Sequence, residues 1–456
     1  MASDGATSPI GAVRVGRTAE PATDFAPSPG YRRYVLWLLL VVYIVNFIDR
    51  NIVYILIEPI KNELRLLDWQ LGLLSGVAFG LVYTGLSFPL AVMADRRNRS
   101  ILIGVCLAVW SGFTALCGLA QNFAQLLIAR AGVGVGEAGC VPSAHALITD
   151  YTPKEQRASA LAFFSLGAPI GSTLGLLLGG AMTDYFGWRT AFLVAAAPGF
   201  VLAVLIAFTV REPRTGRPVT IAMRGGGPSL ATTLRYVMRK PAFWRMGVAA
   251  GTRAFLGYGQ GPFFASFIYR VHGPDLTQLA VSWGLRDATF VGLLVGVLSG
   301  IGGVVGALVG GWICDRHSAR DARVLAVVPA AAALAATPLM VAQFVAPSVV
   351  WVLVFVFLSN LFATVWFAPV YSAAQSMVPP EMRAKASAIM IFMINFIGLV
   401  FGALLVGALS DFLGVVVGLG AAEGMRWSLI LTTLAGLAAV PLFWGASRTM
   451  RQDVES

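Results

Sequence analysis

The sequence predicts an all-α polytopic membrane protein in which twelve transmembrane helices form two six-helix bundles. Of its 456 residues, 57% are hydrophobic and only 12% are charged, whereas proteins on average carry about 25% charged residues. The apolar residues form long runs rather than short alternating ones, which indicates helices and not a β-barrel. The two halves of the chain also repeat a common pattern, which predicts two similar bundles.

Each apolar run is long enough to cross a bilayer as a helix, which takes about 20 residues. The runs cover 34–57, 69–93, 100–120, 123–149, 157–182, 190–210, 243–270, 288–313, 324–345, 348–376, 384–409 and 427–446. We predict five regions from them: a disordered N-terminal tail (1–32), an N-terminal bundle (33–211), a linker (212–242), a C-terminal bundle (243–447) and a C-terminal tail (448–456).

The formal charge of +11 comes from cations that cluster in short loops and in the linker. Eight of them lie between Arg211 and Arg245, whereas the loops near Gln121 and Pro347 carry no charge. Clustered cations mark the cytoplasmic side of a membrane protein and do not require a nucleic-acid partner. We therefore predict an integral protein of the inner (plasma) membrane with both tails and the linker in the cytoplasm.

Three short motifs recur in the same order in the two halves of the chain. Two recur at an offset of about 220 residues and the third at about 226. The pairs are Phe47–Arg50 with Phe267–Arg270, Ala91–Arg96 with Gly311–Arg316, and Pro153–Arg157 with Pro379–Arg383. Two similar halves with a site between them are typical of carriers that work by alternating access.

The candidate site lies in the first and fourth predicted helices, which carry Asp49, Arg50, Arg130 and Glu137. A charged residue at membrane depth costs about 2.5–3.5 kcal/mol on insertion scales, so such residues face a protein or water interior. Arg130 and Glu137 are seven residues apart and share one helix face. Three glycines between them predict close packing of the first helix against the fourth, which would bring Asp49 within reach of Arg130.

Two interpretations of this charged cluster remain open. It could be a static set of ion pairs that holds two helices together. It could also be a switch in which one acid takes a proton and frees an arginine for another partner. We favour the switch because Tyr269 occupies the position equivalent to Asp49 in the second half, so that position tolerates a neutral residue. We predict Asp49 and Glu137 as proton-coupling acids, with Arg50 and Arg130 as their charge partners.

The loop Gly311-x-x-x-Asp315-Arg316 resembles the signature between the second and third helices of each half in the major facilitator superfamily. The first copy departs from that signature by carrying Ala91 in place of the glycine. Within the superfamily, Asn46–Arg50 and Ala129–Ala138 resemble the spinster (sphingolipid transporter-like) branch, in a bacterial homologue. The resemblance implies the major facilitator fold and proton-linked movement of lysophospholipids or sphingosine phosphate.

Further site residues are predicted for the substrate and for a cytoplasmic gate. We expect Tyr83, Tyr258 and Asn395 to contact the substrate, because aromatic side chains can line an amphiphile cavity and a buried amide needs a partner. Acids at the loop motifs can pair with nearby arginines, close the inner face and hold an outward-open state. The predicted gate residues are Asp95, Arg96, Arg157, Asp315, Arg316 and Arg383.

The sequence favours a secondary transporter over an enzyme or a channel. It has no phosphate-binding loop of the Gly-x4-Gly-Lys-Ser/Thr type and no clustered metal ligands, and we predict no cofactor and no metal. Charge concentrated in one half suits a carrier better than a ring of charges in a pore. We expect a monomer in membrane lipid that uses protons and an amphiphilic or anionic small-molecule substrate. Small organic anions or drugs are the alternative substrates.

Overall fold

The computed structural model describes residues 27–213 and 228–454, except for the side chains of Phe88, Asp95, Arg96, Lys154 and Ala158. Twelve helical segments, α1 to α12, follow one another along these residues. They are α1 (Pro29–Leu64), α2 (Asp68–Gly72, Leu73–Val77 and Ala78–Arg96), α3 (Arg99–Leu119), α4 (Phe123–Glu137 and Cys140–Tyr151), α5 (Arg157–Ser165 and Gly167–Phe186), α6 (Trp188–Thr209), α7 (Pro241–Ser282), α8 (Asp287–His317), α9 (Val324–Val345), α10 (Val349–Ala363 and Phe367–Ser376), α11 (Arg383–Asn395, Phe396–Val400, Gly402–Asp411 and Phe412–Val416) and α12 (Gly420–Ala435, Gly436–Ala438 and Ala439–Asp453).

Ten helices within the described residues are long and apolar enough to cross a membrane. The other two predicted spans correspond to α4 and α7. The first of these breaks into two shorter helices after Glu137. The helix α7 continues 12 residues beyond the predicted end at 270. It kinks at His272, two residues before Pro274, because a proline removes a backbone donor and its ring crowds the preceding turn.

The first six helices form one bundle and the last six form the other. Within the first bundle, α1 packs along α5 and α3 packs along α6. Glycines permit the closest approach: a Cβ at Gly175 would lie 2.9 Å from the carbonyl oxygen of Ile48 on α1. The bundles meet through α5 against α8 and through α2 against α11. Here Gly292 of α8 lies directly against the backbone of α5.

The two bundles are held together at the end of the molecule where α1 meets α2, which we call the closed end. There Asp411 of α11 accepts hydrogen bonds from the backbone N–H groups of Asp68 (3.1 Å) and Trp69 (2.8 Å). Asp184 of α5 likewise accepts one from the N–H of Thr289 on α8 (2.7 Å). No hydrogen bond joins two described residues of different bundles at the opposite end, which carries the predicted gate loops.

The predicted linker contains a short helix, Leu230–Val237, that packs on the beginnings of α7 and α11. Residues 1–26 of the predicted N-terminal tail and residues 214–227 of the linker lie outside the described residues. The cations Arg214, Arg217 and Arg224 belong to that second range. The end of the molecule that faces the cytoplasm is predicted from the loop charges alone.

Candidate transport site

Arg50 of α1 and Glu137 of α4 form a buried ion pair between helices. Both the Nε (3.2 Å) and the Nη2 (2.6 Å) of Arg50 donate to the same oxygen, Oε2 of Glu137. The side chains are 9% and 0% exposed. Removing one partner of such a pair leaves a buried charge without compensation, which typically costs about 3–5 kcal/mol. Glu137 is therefore the counter-charge of Arg50 in this conformation.

Three aromatic rings surround the guanidinium of Arg50. Its central carbon lies 5.2 Å from the ring centroid of Phe47, 4.9 Å from that of Phe79 and 4.8 Å from that of Tyr83. The Phe79 ring also lies 5.6 Å below the guanidinium of Arg130. Aromatic faces attract cations, and the attraction grows when water is excluded. Tyr83, which we predicted as a substrate contact, therefore adjoins the charged centre.

Asp49 is completely buried, and neither of its oxygens makes a hydrogen bond to another described residue. It neighbours Arg130 and Glu137 of α4 and Thr114 and Trp110 of α3. The prediction placed Asp49 within reach of Arg130, and the structure makes them neighbours. The ion pair that forms, however, joins Arg50 to Glu137.

The expected role of the α4 glycines was wrong. They were predicted to let α4 approach α1, but they let α2 and α3 approach α4. A Cβ at Gly134 would lie 2.8 Å from the carbonyl oxygen of Phe79 on α2, and one at Gly136 would lie 2.5 Å from the backbone nitrogen of Trp110 on α3. The long side chain of Arg50 then bridges the larger gap between α1 and α4. Spacing along one helix identifies a close contact but does not identify the partner.

The two other predicted substrate contacts differ in their position relative to the charged cluster. Tyr258 of α7 is half-buried and faces Arg50 and Tyr83 across the bundle interface. Asn395 lies at the end of the first segment of α11, also half-buried. No hydrogen bond or ion pair within the described residues joins Asn395 to the charged cluster.

The predicted gate residues whose side chains the structure describes do not pair with one another in this conformation. Arg157 donates to the carbonyl oxygen of Thr152 (3.2 Å), and the guanidinium of Arg316 lies 5.9 Å from the Trp312 ring centroid. Asp315 and Arg383 are exposed, and no ion pair joins either of them to another described residue. The side chains of Asp95 and Arg96 lie outside the described residues. Gate pairing thus stays a prediction for a conformation in which this end is closed.

The sequence analysis missed a second charged cluster, which joins the bundles at the closed end. Arg270 of α7 donates from Nη1 and Nη2 to the two oxygens of Asp68 (2.8 and 2.9 Å). Its Nε and Nη2 also donate to Glu58 (2.8–3.1 Å). Asp68 further accepts from Lys61 and from the hydroxyl of Ser410 on α11 (2.7 Å). We call these five residues the outer lock.

A sequence signal for the outer lock was present. The repeat places Arg270 at the position equivalent to Arg50, and an arginine at that depth needs an acid. Charges in loops predicted only the orientation of the helices, so Glu58 and Asp68 were not assigned to Arg270. Both acids pair with Arg270, and Asp68 pairs with Lys61 as well.

Comparison with known proteins supports a transporter. A protein from Mycolicibacterium smegmatis described as an MFS-type efflux pump is 34% identical over 441 residues, covering 95% of this chain and 97% of its own length. Protein spinster homolog 1 of Xenopus laevis is 27% identical over 413 residues, covering 87% and 76%. The crystal structure of a bacterial homolog of the human lysosomal transporter Spinster, inward-facing and unoccupied, matches with a TM-score of 0.84 and 29% identity, covering 94% of this chain and 100% of that one.

These relatives confirm the predicted fold, the likeness to the spinster branch and the prediction that the chain is not an enzyme. The chain is an integral membrane transporter, and transporters of this kind handle small-molecule substrates. The Major Facilitator Superfamily model matches residues 39–403 and 263–454. Since these matches together cover almost all of the twelve helices, the chain belongs to the Major Facilitator Superfamily.

Proposed function

We propose that this chain is a secondary active transporter that moves a lysolipid or a sphingoid-phosphate-like amphiphile by alternating access, coupled to protons. The observation that carries the proposal is the Arg50–Glu137 ion pair. It lies between aromatic rings, and both of its side chains are buried. A cation held in this way can exchange an internal carboxylate for the anionic headgroup of a substrate.

Protonation of Glu137 would release Arg50. A neutral carboxyl group attracts the guanidinium far less than a carboxylate does, and a buried arginine without an anion is unfavourable. An anionic headgroup that enters between the bundles would then restore the balance of charge. When Glu137 loses its proton in the other conformation, the internal pair would reform and expel the headgroup. Asp49, next to Glu137 and Arg130, would hold or relay the proton.

The aromatic residues around Arg50 favour an amphiphile over a wholly polar substrate. Phe47, Phe79 and Tyr83 surround the cation on one side, and Tyr258 faces it from the second bundle. Rings that carry a polar group, such as tyrosine, suit the boundary between a headgroup and an apolar chain. The spinster branch resemblance points to the same class of substrate.

Alternating access would require two gates. The outer lock joins the bundles at one end by charged hydrogen bonds in this conformation. We propose that the loop residues predicted as a cytoplasmic gate take over when that end closes, with Asp95 and Asp315 pairing with Arg157 or Arg383. We further propose that the transporter acts as a monomer in the inner (plasma) membrane with both termini in the cytoplasm.

Proton-coupled transport of small organic anions or drugs is the second candidate. The similarity over nearly the full length to a protein described as an efflux pump favours it. The same ion pair would serve this function, because the guanidinium recognises a carboxylate or a phosphate whatever chain is attached to it. The two candidates differ in whether an apolar tail is needed for uptake.

Uptake into proteoliposomes tests both candidates. We expect a pH gradient to drive uptake of a radiolabelled lysolipid, and Glu137→Gln and Asp49→Asn each to abolish the dependence on the gradient. Glu423→Gln is the matched control, because Glu423 pairs with Arg426 on the surface three residues away. Full gradient dependence in both variants would refute the coupling. Faster uptake of a short organic anion than of the lysolipid would favour the second candidate.

A further inference from the structure

A small cavity lies inside the first bundle, between Asp49 and the closed end. It has a volume of about 10 Å³ and is lined by nine residues from α1, α2, α4 and α6. They include Val53, Ile57 and Ile60 of α1, Ser75 of α2 and Arg130 of α4. A cavity needs about 10–15 Å³ of such volume to hold one water molecule. This cavity is therefore the size of a single water site.

Two of the nine lining residues are polar, and both have atoms without partners. The Nε and Nη1 of Arg130 and the Oγ of Ser75 are buried and make no hydrogen bond within the described residues. The Arg130 side chain is about 98% buried. Empty cavities in proteins are apolar, whereas a site with two or more polar partners retains water. A water between Arg130 and Ser75 would satisfy groups that are costly to bury unpaired.

The cavity continues the face of α1 that carries Asp49. Residues 49, 53, 57 and 60 lie within about 80° of one another around the helix at 3.6 residues per turn. Ile60 lies about 16 Å further toward the closed end than Asp49 by the helical rise. The cavity thus lies on the closed-end side of Asp49, and Arg130, which lines it, is a neighbour of Asp49.

The cavity is separate from the side of the bundle where Arg50 is partly exposed. The Phe79 ring is 1% exposed and lies against the guanidinium groups of both Arg50 and Arg130. Glu137 links the two sides: Oε2 accepts from Arg50, whereas Oε1 is buried and accepts no hydrogen bond from the part of the chain that the structure describes. Glu137 therefore binds Arg50 on the substrate side through Oε2, while its Oε1 stays buried inside the bundle.

We propose that this cavity is a water site through which Asp49 exchanges protons with the closed end of the molecule, on a route separate from that of the substrate. The inference deepens the proposed function and rests on its proton coupling. The proton passes from the water to Asp49 and then to Glu137, which releases Arg50. The groups that face Asp49 are Arg130 and Glu137 from α4, and Thr114 and Trp110 with the nearby thiol of Cys117 from α3.

Ser75 provides the test, because it lines the cavity and its hydroxyl is buried. It lies in the π-helical segment of α2, and π-helical segments often mark functional sites. Ser75→Val removes the hydroxyl and fills the space, whereas Ser75→Ala removes only the hydroxyl. Ser87→Ala is the matched control on the same helix, because the Ser87 hydroxyl already donates to the carbonyl oxygen of Tyr83 (2.5 Å).

The measurement is proton uptake by the purified full chain after an acid pH jump, followed with an indicator dye, with Asp49→Asn as the baseline. We expect Ser75→Val to keep the amplitude of uptake but to slow it about tenfold, with Ser75→Ala between and Ser87→Ala unchanged. Lysolipid exchange without a gradient in proteoliposomes should stay within about twofold of wild type. An unchanged rate of proton uptake in Ser75→Val refutes the proton route but leaves the proposed coupling intact. An equal loss of lysolipid exchange and proton uptake in Ser75→Val also refutes the route, because it would show that Ser75 is merely structural. Full uptake in Asp49→Asn refutes the proposed coupling at Asp49, and the route with it.

Discussion

Removing Arg270 should open the closed end of the transporter. Its guanidinium joins the second bundle to Asp68 and Glu58 of the first by hydrogen bonds of 2.8–3.1 Å. The Arg270 side chain is 8% exposed, and those of Asp68 and Glu58 are 3% and 16% exposed. Because these side chains are largely shielded from water, the loss of Arg270 should shift the equilibrium between the closed and the open conformation.

The size of the effect follows from what remains after Arg270→Gln. Breaking a buried ion pair costs about 3–5 kcal/mol, because the remaining charge loses its compensation. Asp68 keeps Lys61 and the Ser410 hydroxyl as partners, so we expect the lower limit, about 3 kcal/mol. Since each 1.4 kcal/mol is a factor of ten, the ratio of closed to open molecules should fall by about 100-fold.

The assay is a distance measurement across the closed end. Leu67 and Leu419 lie in loops of different bundles and are 47% and 42% exposed, so Leu67→Cys and Leu419→Cys can carry spin labels. All four native cysteines are buried, which makes labelling selective. Double electron–electron resonance should show a single short distance for the parent protein. A longer population should dominate in Arg270→Gln.

A matched control separates this effect from a general loss of charge. Arg189 pairs with Glu63 near the same end but within one bundle, and these side chains are 35% and 49% exposed. Exposed pairs contribute about 0–1 kcal/mol, so Arg189→Gln should leave the distances unchanged. If folded Arg270→Gln keeps the short distance of the parent, the outer lock does not hold the closed end and the reasoning is wrong.

Three further predictions follow from other contacts. Glu137→Gln should lower the free energy of unfolding by about 3 kcal/mol, measured by thermal or chemical unfolding in detergent, since Arg50 loses its counter-charge. Gly292→Ala should favour opening of the closed end by about 1–3 kcal/mol in the same distance assay, because the added Cβ would press on the backbone of α5; a rise in the closed population would contradict this. A hydrogen bond from Arg451 lowers the pKa of Asp321 in the loop between α8 and α9. The ion pair therefore stabilises the folded protein at a pH above the unfolded pKa of Asp321, and this stability is lost as the pH falls through the lowered folded pKa. Arg451→Gln should melt at a lower temperature than the parent at neutral pH, and the two melting temperatures should become equal in acid.

The four charged residues of the site show what could be predicted from the sequence alone. Cost at membrane depth was enough to single out Asp49, Arg50, Arg130 and Glu137, and all four side chains lie buried in the first bundle. Their pairing was not predictable, because helical spacing says which residues share a face but not which helix that face meets. The Arg50–Glu137 pair depends on how the aromatic rings and glycines of α2 and α4 set the gaps between helices.

The outer lock illustrates a different limit. Arg270 and Asp68 are about 200 residues apart in the chain, and their contact exists only because α7 lies beside the junction of α1 and α2. Loop charges were interpreted as signals for orientation, which is their commonest role. A charge that orients a helix during insertion can also bind across the finished fold, and nothing in local sequence separates these two roles.

Long apolar runs and a repeated motif are enough to identify a helical membrane protein built from two similar halves, because both depend only on the order of residues. Which charges meet, which end of the molecule is closed and where a cavity lies near Asp49 became visible only in the folded chain. These features depend on contacts between helices distant in the chain, and such contacts are set by packing rather than by periodicity.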